Sequence, residues 1–547
     1  MSRPNDLTLP PDLTDLTHER GIGPVRSQRP IYVDMLPPCN NACPAGEDIQ
    51  AWLAHAEAGR FLEAWETILK DNPLPAIHGR VCYHPCETSC NRAQLDGPVT
   101  IHAVERFLGD MALEQNWTPK IAASASGKRI LVVGAGPSGL SCAHHLALMG
   151  HSVEIREAGP MAGGMMHFGI PAYRLPRDVL DGEIRRIERM GVKIVLNHKV
   201  ENLAAEVEQG GFDAAFVAVG AHLSKKTEIP GRDAAKILDA VSFLRDVESG
   251  VTPKLGRKVA IYGGGNTAMD AARVAMRLGV EPMIIYRRDR EHMPAHEFEA
   301  DEAIEEGVKI HWLRTIKSID EGAFTVEVME IDENGRPRAT GQFETIEADD
   351  LILALGQDTD TGFLKKVPGV EFQKDGTVIV GPNMMTGYPG IFAGGDMVPS
   401  ERTVTIGVGH GKKAARNIDA YLRGETYSKP PKGGLADFEK LHLWFYTDAA
   451  QRPQGHTEIA RRKTSFDEVV QGLAEKDAVY EAKRCLSCGN CFECDGCFGA
   501  CPEDAIIKLG PGKRYEYNYD LCTGCAICFE QCPCHAIQMM PEPGQGR

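Results

Sequence analysis

Ile130-Leu131-Val132-Val133-Gly134-Ala135-Gly136-Pro137-Ser138-Gly139-Leu140 is the stretch that decides the fold. Four apolar residues in a row read as a strand buried on both faces, and the three glycines after it open a helix. Such glycines permit a tight turn and let backbone N–H groups approach a pyrophosphate at the helix N-terminus. The next strand, 152–156, ends in Glu157, an acid placed to accept hydrogen bonds from ribose hydroxyls. Gly134, Gly136, Pro137, Ser138, Gly139 and Glu157 are therefore candidate contacts for a dinucleotide with an unmodified ribose, FAD.

The same strand, loop and helix pattern recurs further on. Lys-Val-Ala-Ile-Tyr at 258–262 leads into Gly263-Gly264-Gly265-Asn266-Thr267-Ala268, where Ala268 stands for the third glycine. The following strand, 282–286, ends in Arg287 and Arg288 rather than an acid. Arginines there can clamp a 2′-phosphate bidentately. Gly263, Gly265, Asn266, Thr267, Arg287 and Arg288 thus point to NADPH. Two solvated arginines at a strand end are the competing reading, which leaves NADH open. Two more buried-type strands end in Gly220 and Gly356, suited to close backbone approach to a cofactor. Ile391-Phe392-Ala393-Gly394-Gly395-Asp396 adds Gly395 and an acid for a ribityl hydroxyl.

The 17 cysteines are clustered: five lie between Cys39 and Cys90, eleven between Cys485 and Cys534, and Cys142 falls alone in a predicted helix. Clusters of this kind in a cytosolic chain mark metal or redox chemistry. Cys491-x2-Cys494-x2-Cys497-x3-Cys501-Pro and Cys522-x2-Cys525-x2-Cys528-x3-Cys532-Pro are two full bacterial ferredoxin runs. In that fold the fourth cysteine of each run serves the other cluster. One [4Fe–4S] cluster then takes Cys491, Cys494, Cys497 and Cys532; the other takes Cys522, Cys525, Cys528 and Cys501. Cys39-x3-Cys43 and Cys82-x3-Cys86-x3-Cys90 offer thiolates on loops between helices, with structural zinc as the rival reading.

Composition narrows the class. The 547 residues carry a net charge of −16, which argues against nucleic acid as a partner. No apolar run reaches the ~20 residues that span a bilayer, and the N-terminus lacks a signal pattern, so a cytoplasmic protein is expected. The length implies several domains. The expected division is an arm at 1–30 and a helical Fe–S domain at 31–125. An FAD domain at 126–235 and 356–430 is interrupted by an NAD(P)H domain at 236–355. A linker at 431–480 and a ferredoxin-like α+β domain at 481–547 complete an α/β, two-dinucleotide-domain flavoprotein.

The GAGPSGL motif with its distal acid, together with GGGNTAMD, YRRD followed by MPA, and IFAGGD, resembles the small subunit of glutamate synthase and its relatives. These include the flavin subunit of NADH-dependent ferredoxin:NADP oxidoreductase and the N-terminal half of dihydropyrimidine dehydrogenase. The resemblance implies nicotinamide stacked on flavin, and it places Gly163, Gly164 and Met165 along the flavin. Arg174 belongs to the same family-like stretch. It also implies a [4Fe–4S] cluster on Cys43, Cys82, Cys86 and Glu105. A second N-terminal cluster would normally draw on a Cys-x2-Cys ahead of Cys39, but 32–38 has no cysteine. Cys485 and Cys488 sit in a segment much like the missing one. The expectation is that they fold back to join Cys39 and Cys90.

The implied function is an NAD(P)H:acceptor oxidoreductase subunit passing electrons among NAD(P)H, FAD and three or four [4Fe–4S] clusters. No catalytic acid, base or nucleophile is called for. The acceptor would be ferredoxin or a separate redox subunit in a hetero- or homo-oligomer. The candidates are a 2-oxoacid:acceptor oxidoreductase, which the 515–540 tail resembles, a sulfite reductase, or a glutamate synthase large subunit. Flavin-based electron bifurcation is the alternative enzymatic reading, and a cluster-bearing scaffold with degenerate nucleotide sites the non-enzymatic one.

Overall fold

The computed structural model describes residues 26–225 and 227–542; most of the arm expected at 1–30 lies outside them. Two five-stranded parallel sheets form the centre of the molecule. The first orders its strands Ile391–Ala393, Ala214–Val217, Arg129–Val133, Ser152–Arg156 and Lys193–Val195. The second orders Lys309–Trp312, Glu281–Tyr286, Lys258–Tyr262, Asp350–Leu353 and Lys236–Asp239. In each, the strand preceding a glycine loop is central and the next strand in sequence lies beside it. The loop therefore opens at the carboxyl edge, where strand order reverses and dinucleotides bind.

The two sheets fill their outer position differently. The first takes a strand, Ile391–Ala393, that arrives only after the second sheet is complete. The second takes Lys236–Asp239, which precedes its glycine loop. Ile130, Leu131 and Val132 are wholly buried, as are Val259, Ala260 and Ile261, in keeping with strands covered on both faces. A three-stranded antiparallel meander, Arg314–Asp320, Ala323–Ile331 and Pro337–Glu347, packs on the second sheet. It was not expected from the sequence.

The N-terminal region is helical, and its core holds Trp52 and Trp65 at 0% exposure. Helices Pro75–Val81 and Ile101–Glu114 cross in near contact. A Cβ on Gly79 would lie 2.5 Å from the Arg106 Cα, so only glycine permits the approach. The crossing brings Cys82, at the end of the first helix, beside Glu105 in the second.

At the other end, Ile506–Lys508 pairs with Tyr515–Tyr517, and the last strand, Ile537–Pro541, pairs antiparallel with Gln28–Tyr32. The segment that sequence reading split between an arm and a helical domain thus extends the ferredoxin-like region. Residues 431–480 form a strap tied down by polar bonds and by buried Ala436, Leu441 and Val469. Glu468 accepts from Arg80 at 2.7 Å and Arg106 at 2.9 Å, and Val469 N–H donates to the Tyr173 carbonyl at 2.9 Å.

Candidate functional site

The first glycine loop is arranged to receive a dinucleotide. Its helix, Pro137–Leu148, begins with proline at the first turn, which loses no needed N–H there. The Glu157 carboxylate accepts from Ala135 N–H and from Gly159 N–H, both at 2.8 Å, and so is locked at the loop's edge. Gly163 N–H donates to the Ala135 carbonyl at 2.9 Å, folding the Gly163–Gly164–Met165 turn over the loop. Gly395 lies against Ser138, and its N–H donates to His410 Nδ1 at 3.2 Å. Burial pushes the Asp396 carboxyl up to about 6. The residues fit FAD by two observations. Ser138 Oγ is buried without a hydrogen-bond partner. A Cβ on Gly136 or Gly220 would meet nothing within 4 Å, leaving room for backbone to face a ligand.

At the second loop Gly265 is likewise open, and Thr267 is half-buried at the start of helix Asn266–Arg277. Gly356 sits at the end of the neighbouring strand, with Lys225 as its closest side chain. Arg287 is exposed and Arg288 half-buried at the edge of strand Glu281–Tyr286. Arg288 Nε is buried and has no partner, the condition expected of a guanidinium kept for an anion. Arg174 behaves differently from its expected cofactor role. Its side chain is 11% exposed and pairs with Asp270 at 2.9 Å and with Glu299. It fastens the first nucleotide domain to the second. Asn266 donates to the Tyr83 hydroxyl at 2.6 Å, and Tyr83 stacks on His296 at 3.5 Å. Tyr83 and His296 were not singled out from the sequence, since a tyrosine between two cysteine-rich turns carries no motif.

Cys43, Cys82, Cys86 and Glu105 converge where the helical domain meets the flavin domain. The thiols of Cys43, Cys82 and Cys86 face one another, and burial pushes each upward. His84 N–H donates to Cys82 Sγ at 3.4 Å. Glu105 does not stand alone, because Asn72 donates to Glu105 Oε1 at 2.6 Å and to Glu47 Oε1 at 3.0 Å. Trp52 Nε1 donates to the other Glu47 oxygen at 3.2 Å. Glu47 and Asn72 were missed; the only sequence signal was an acid four residues after Cys43. Helix Val404–Leu422 separates this group from the first glycine loop by its own thickness. Thr405 in its first turn faces the Cys82 thiol, and a Cβ on Gly407 would meet the Pro137 ring at 3.5 Å.

The C-terminal cysteines gather in two groups. Cys501, Cys522, Cys525 and Cys528 line one small apolar cavity with Pro30 and Tyr517. Cys491, Cys494 and Cys497 face Cys532 instead, close enough for neighbouring thiols to disfavour one another's ionisation. Sulfurs in both groups accept backbone N–H bonds, from Ala505 to Cys501 at 3.3 Å and from Ala536 to Cys532 at 3.2 Å. Buried thiols with such donors suit iron–sulfur ligation. Tyr32 lies between the groups, 3.4 Å from Cys497 Sγ and stacked on Tyr517. Cys534, which had no role, sits 3.8 Å from Cys532 Sγ. Cys39, Cys90, Cys485 and Cys488 line a further cavity.

Comparison with known proteins agrees with this layout. Residues 128–411 match the pyridine nucleotide-disulphide oxidoreductase family model. Residues 27–117 match the dihydropyrimidine dehydrogenase domain II model, a 4Fe-4S cluster domain, and 515–538 match the 4Fe-4S binding domain. The chain is 37% identical to the NADP(+)-dependent formate dehydrogenase subunit beta of Moorella thermoacetica, over 82% of this chain and 70% of that one. It is 34% identical to the NADPH-Fe(3+) oxidoreductase subunit beta of Geobacter sulfurreducens, over 82% and 75%. Against the glutamate synthase [NADPH] small chain of Escherichia coli the values are 33%, 71% and 89%. Among the described residues no helix is long and apolar enough to cross a membrane. The chain belongs to the pyridine nucleotide-disulphide oxidoreductase family, and is an FAD- and Fe–S-dependent NAD(P)H oxidoreductase.

Proposed function

We propose that this chain is the electron-entry subunit of a larger enzyme, drawing on NADPH and serving a separate catalytic subunit. The observation that carries the proposal is the order of the sites. The second glycine loop touches Tyr83, next to Cys82, and the first glycine loop is one helix away from the same group. The ferredoxin-like groups continue outward to Cys525, which is exposed. FAD bound at the first loop supplies the exchange between hydride and single electrons, and [4Fe–4S] clusters carry single electrons onward.

The chain's own residues do the positioning. Gly136, Ser138 and Gly139 present N–H groups to the FAD pyrophosphate, Gly134 and Pro137 shape the turn that carries them, and Glu157 takes the ribose. Gly163, Gly164 and Met165 would line the flavin where their turn folds over the loop, and Gly220, Gly395 and Asp396 would belong to the same site. Gly263, Gly265, Asn266, Thr267 and Gly356 bind the nicotinamide nucleotide, and Arg287 with Arg288 selects its 2′-phosphate. Cys43, Cys82, Cys86 and Glu105 hold one cluster. Cys491, Cys494, Cys497 and Cys532 hold a second, and Cys501, Cys522, Cys525 and Cys528 a third.

For the partner, we favour a catalytic subunit of the formate dehydrogenase kind over a glutamate synthase large subunit. The beta chain of the former matches more of this sequence at higher identity. The test is anaerobic NADPH reduction of the purified protein, followed by FAD absorbance and by the spectra of the iron–sulfur groups. Both should respond, with NADH needing at least about tenfold higher concentration. An FAD band that NADPH leaves unchanged would overturn the reading. Identification of co-purifying chains decides the partner.

A further inference from the structure

Cys485 and Cys488 lie outside all three matched segments, yet their nearest cysteines come from the other end of the chain. We propose that Cys39, Cys90, Cys485 and Cys488 together hold one [4Fe–4S] cluster, a site assembled from two segments about four hundred residues apart. The proposal rests on the Fe–S flavoprotein reading above and adds a metal site to it.

The four side chains line a single cavity walled by Pro37, Leu53, Val99 and Ile101. Cys39 and Cys488 are buried, Cys90 and Cys485 half-buried. Two of the sulfurs have N–H donors aimed at them. Ser487 N–H donates to Cys485 Sγ at 3.4 Å, and Asn91 Nδ2 donates to Cys488 Sγ at 3.3 Å. Hydrogen bonds to sulfur of this kind are what cluster thiolates use.

Spacing argues against a single metal ion. Zinc bound at about 2.3 Å would draw its sulfurs to roughly 3.8 Å of one another. Among the described residues, the only groups of three or more ligand atoms within 4.8 Å of each other contain no cysteine. No three of these four sulfurs therefore lie as close together as a single zinc ion would hold them. On ligation each Sγ gives up its proton and forms one Fe–S bond; four iron and four sulfide ions complete the group.

The protein brings the two segments together by other means as well, so their meeting does not depend on iron. Arg484, 1% exposed, donates to the carbonyls of Pro98 at 2.7 Å and Gly97 at 2.8 Å and pairs with Asp96 at 3.1 Å. In return Arg92 donates to the Arg484 carbonyl at 2.8 Å, and Thr100 N–H to the Glu481 carboxylate at 2.9 Å. The site also has neighbours on both sides. Cys86 faces Cys39 from the group near the flavin. On the far side Gly489 N–H donates to the Cys534 carbonyl at 2.6 Å, two residues from Cys532. The composite cluster therefore fills the gap between the N-terminal and ferredoxin-like groups.

The test is iron content and low-temperature EPR of the dithionite-reduced holoprotein, on the full chain and on Cys39→Ala and Cys485→Ala variants. The wild type should carry about 16 iron atoms per chain, as four [4Fe–4S] clusters require. Each variant should fall to about 12 and lose the same spectral component, with FAD content unchanged. A wild-type value near 12, or variants that erase different components, would overturn the proposal. If neither variant folds, the wild-type iron count decides alone. Failure of the broader reading would look different, as a wild type without FAD or without ferredoxin-type signals.

Discussion

The two nucleotide domains use one topology and nearly one loop, but they differ in what surrounds the loop. At the first, every neighbouring element closes in: Glu157 is fixed by two backbone bonds, the Gly163–Gly164 turn folds over, and Gly395 packs on Ser138. At the second, the distal side carries a half-buried Arg288 with an unpartnered Nε and an exposed Arg287. On the proposed function, the first serves as a permanent seat and the second as a dock that must load and release. The strand-end residues then set the ligand chemistry, an acid for a ribose and arginines for a phosphate.

The largest way to break this contrast is at Gly139. A Cβ there would collide with the Gly134 carbonyl across the loop. Gly139→Val should abolish FAD retention and lower the melting temperature, read from the flavin absorbance of the purified protein and from thermal unfolding. At the equivalent place in the second loop Ala268 is already tolerated, so Ala268→Gly should leave nucleotide binding nearly unchanged. A reversal of these two results would show that the first loop is not the tighter seat.

Next in size is the latch between the domains. Arg174, Asp270 and Glu299 are all nearly buried, so Arg174→Ala leaves two carboxylates without their cation. Breaking a buried pair of this kind costs about 3–5 kcal/mol. The expected outcome is a large loss in denaturation midpoint with the FAD site itself intact. Arg174 joined the cofactor candidates because it shares a stretch with Gly163–Met165. Sequence proximity does not separate a residue that faces a ligand from one that faces the neighbouring domain.

Removing the specificity arginines should have a smaller and more selective effect. Losing one charge-assisted contact to the 2′-phosphate costs about 1.5–3 kcal/mol. Arg288→Ala should therefore raise KM for NADPH by about 10–150-fold. KM for NADH should hardly move, and kcat should be kept for both. Equal losses for both nucleotides would mean that Arg288 supports the strand end and does not read the phosphate.

What could be read from the sequence followed physical locality. Glycine loops, strand-end acids and ferredoxin runs are contiguous, so each announces its own backbone geometry. The pairing of Gln28–Tyr32 with Ile537–Pro541 joins the two ends of the chain and leaves no local trace. The strap at 431–480 was unreadable for another reason. It is held by buried arginines bonding backbone carbonyls, as where Arg92 reaches Thr447 and Arg484 reaches Ala449, and by scattered apolar anchors such as Ala436, Leu441 and Val469 that follow no helical or strand period. Glu47 was hidden because its role depends on Asn72, 25 residues away, holding it next to Glu105.

The smallest expected effect tests whether the dock communicates with the nearest cysteine group. Tyr83 is covalently next to Cys82, and its hydroxyl accepts from Asn266, the first residue of the helix whose N-terminus faces the nucleotide. His296 N–H in turn donates to Asn266 Oδ1 at 3.1 Å, so the amide has both ends engaged. Tyr83→Phe removes one hydrogen bond but keeps the ring stacked on His296, a change worth about 0.5–1.5 kcal/mol. NADP+ binding should weaken by no more than about tenfold. In the wild type NADP+ should also shift the reduction potential of the cluster nearest the flavin, because Asn266, at the start of the helix proposed to bind the nucleotide, is bonded to the Tyr83 hydroxyl. In the variant that shift should shrink while the potential without nucleotide stays close to wild type. A shift of equal size in both proteins would show that the dock and the cysteine group are merely adjacent.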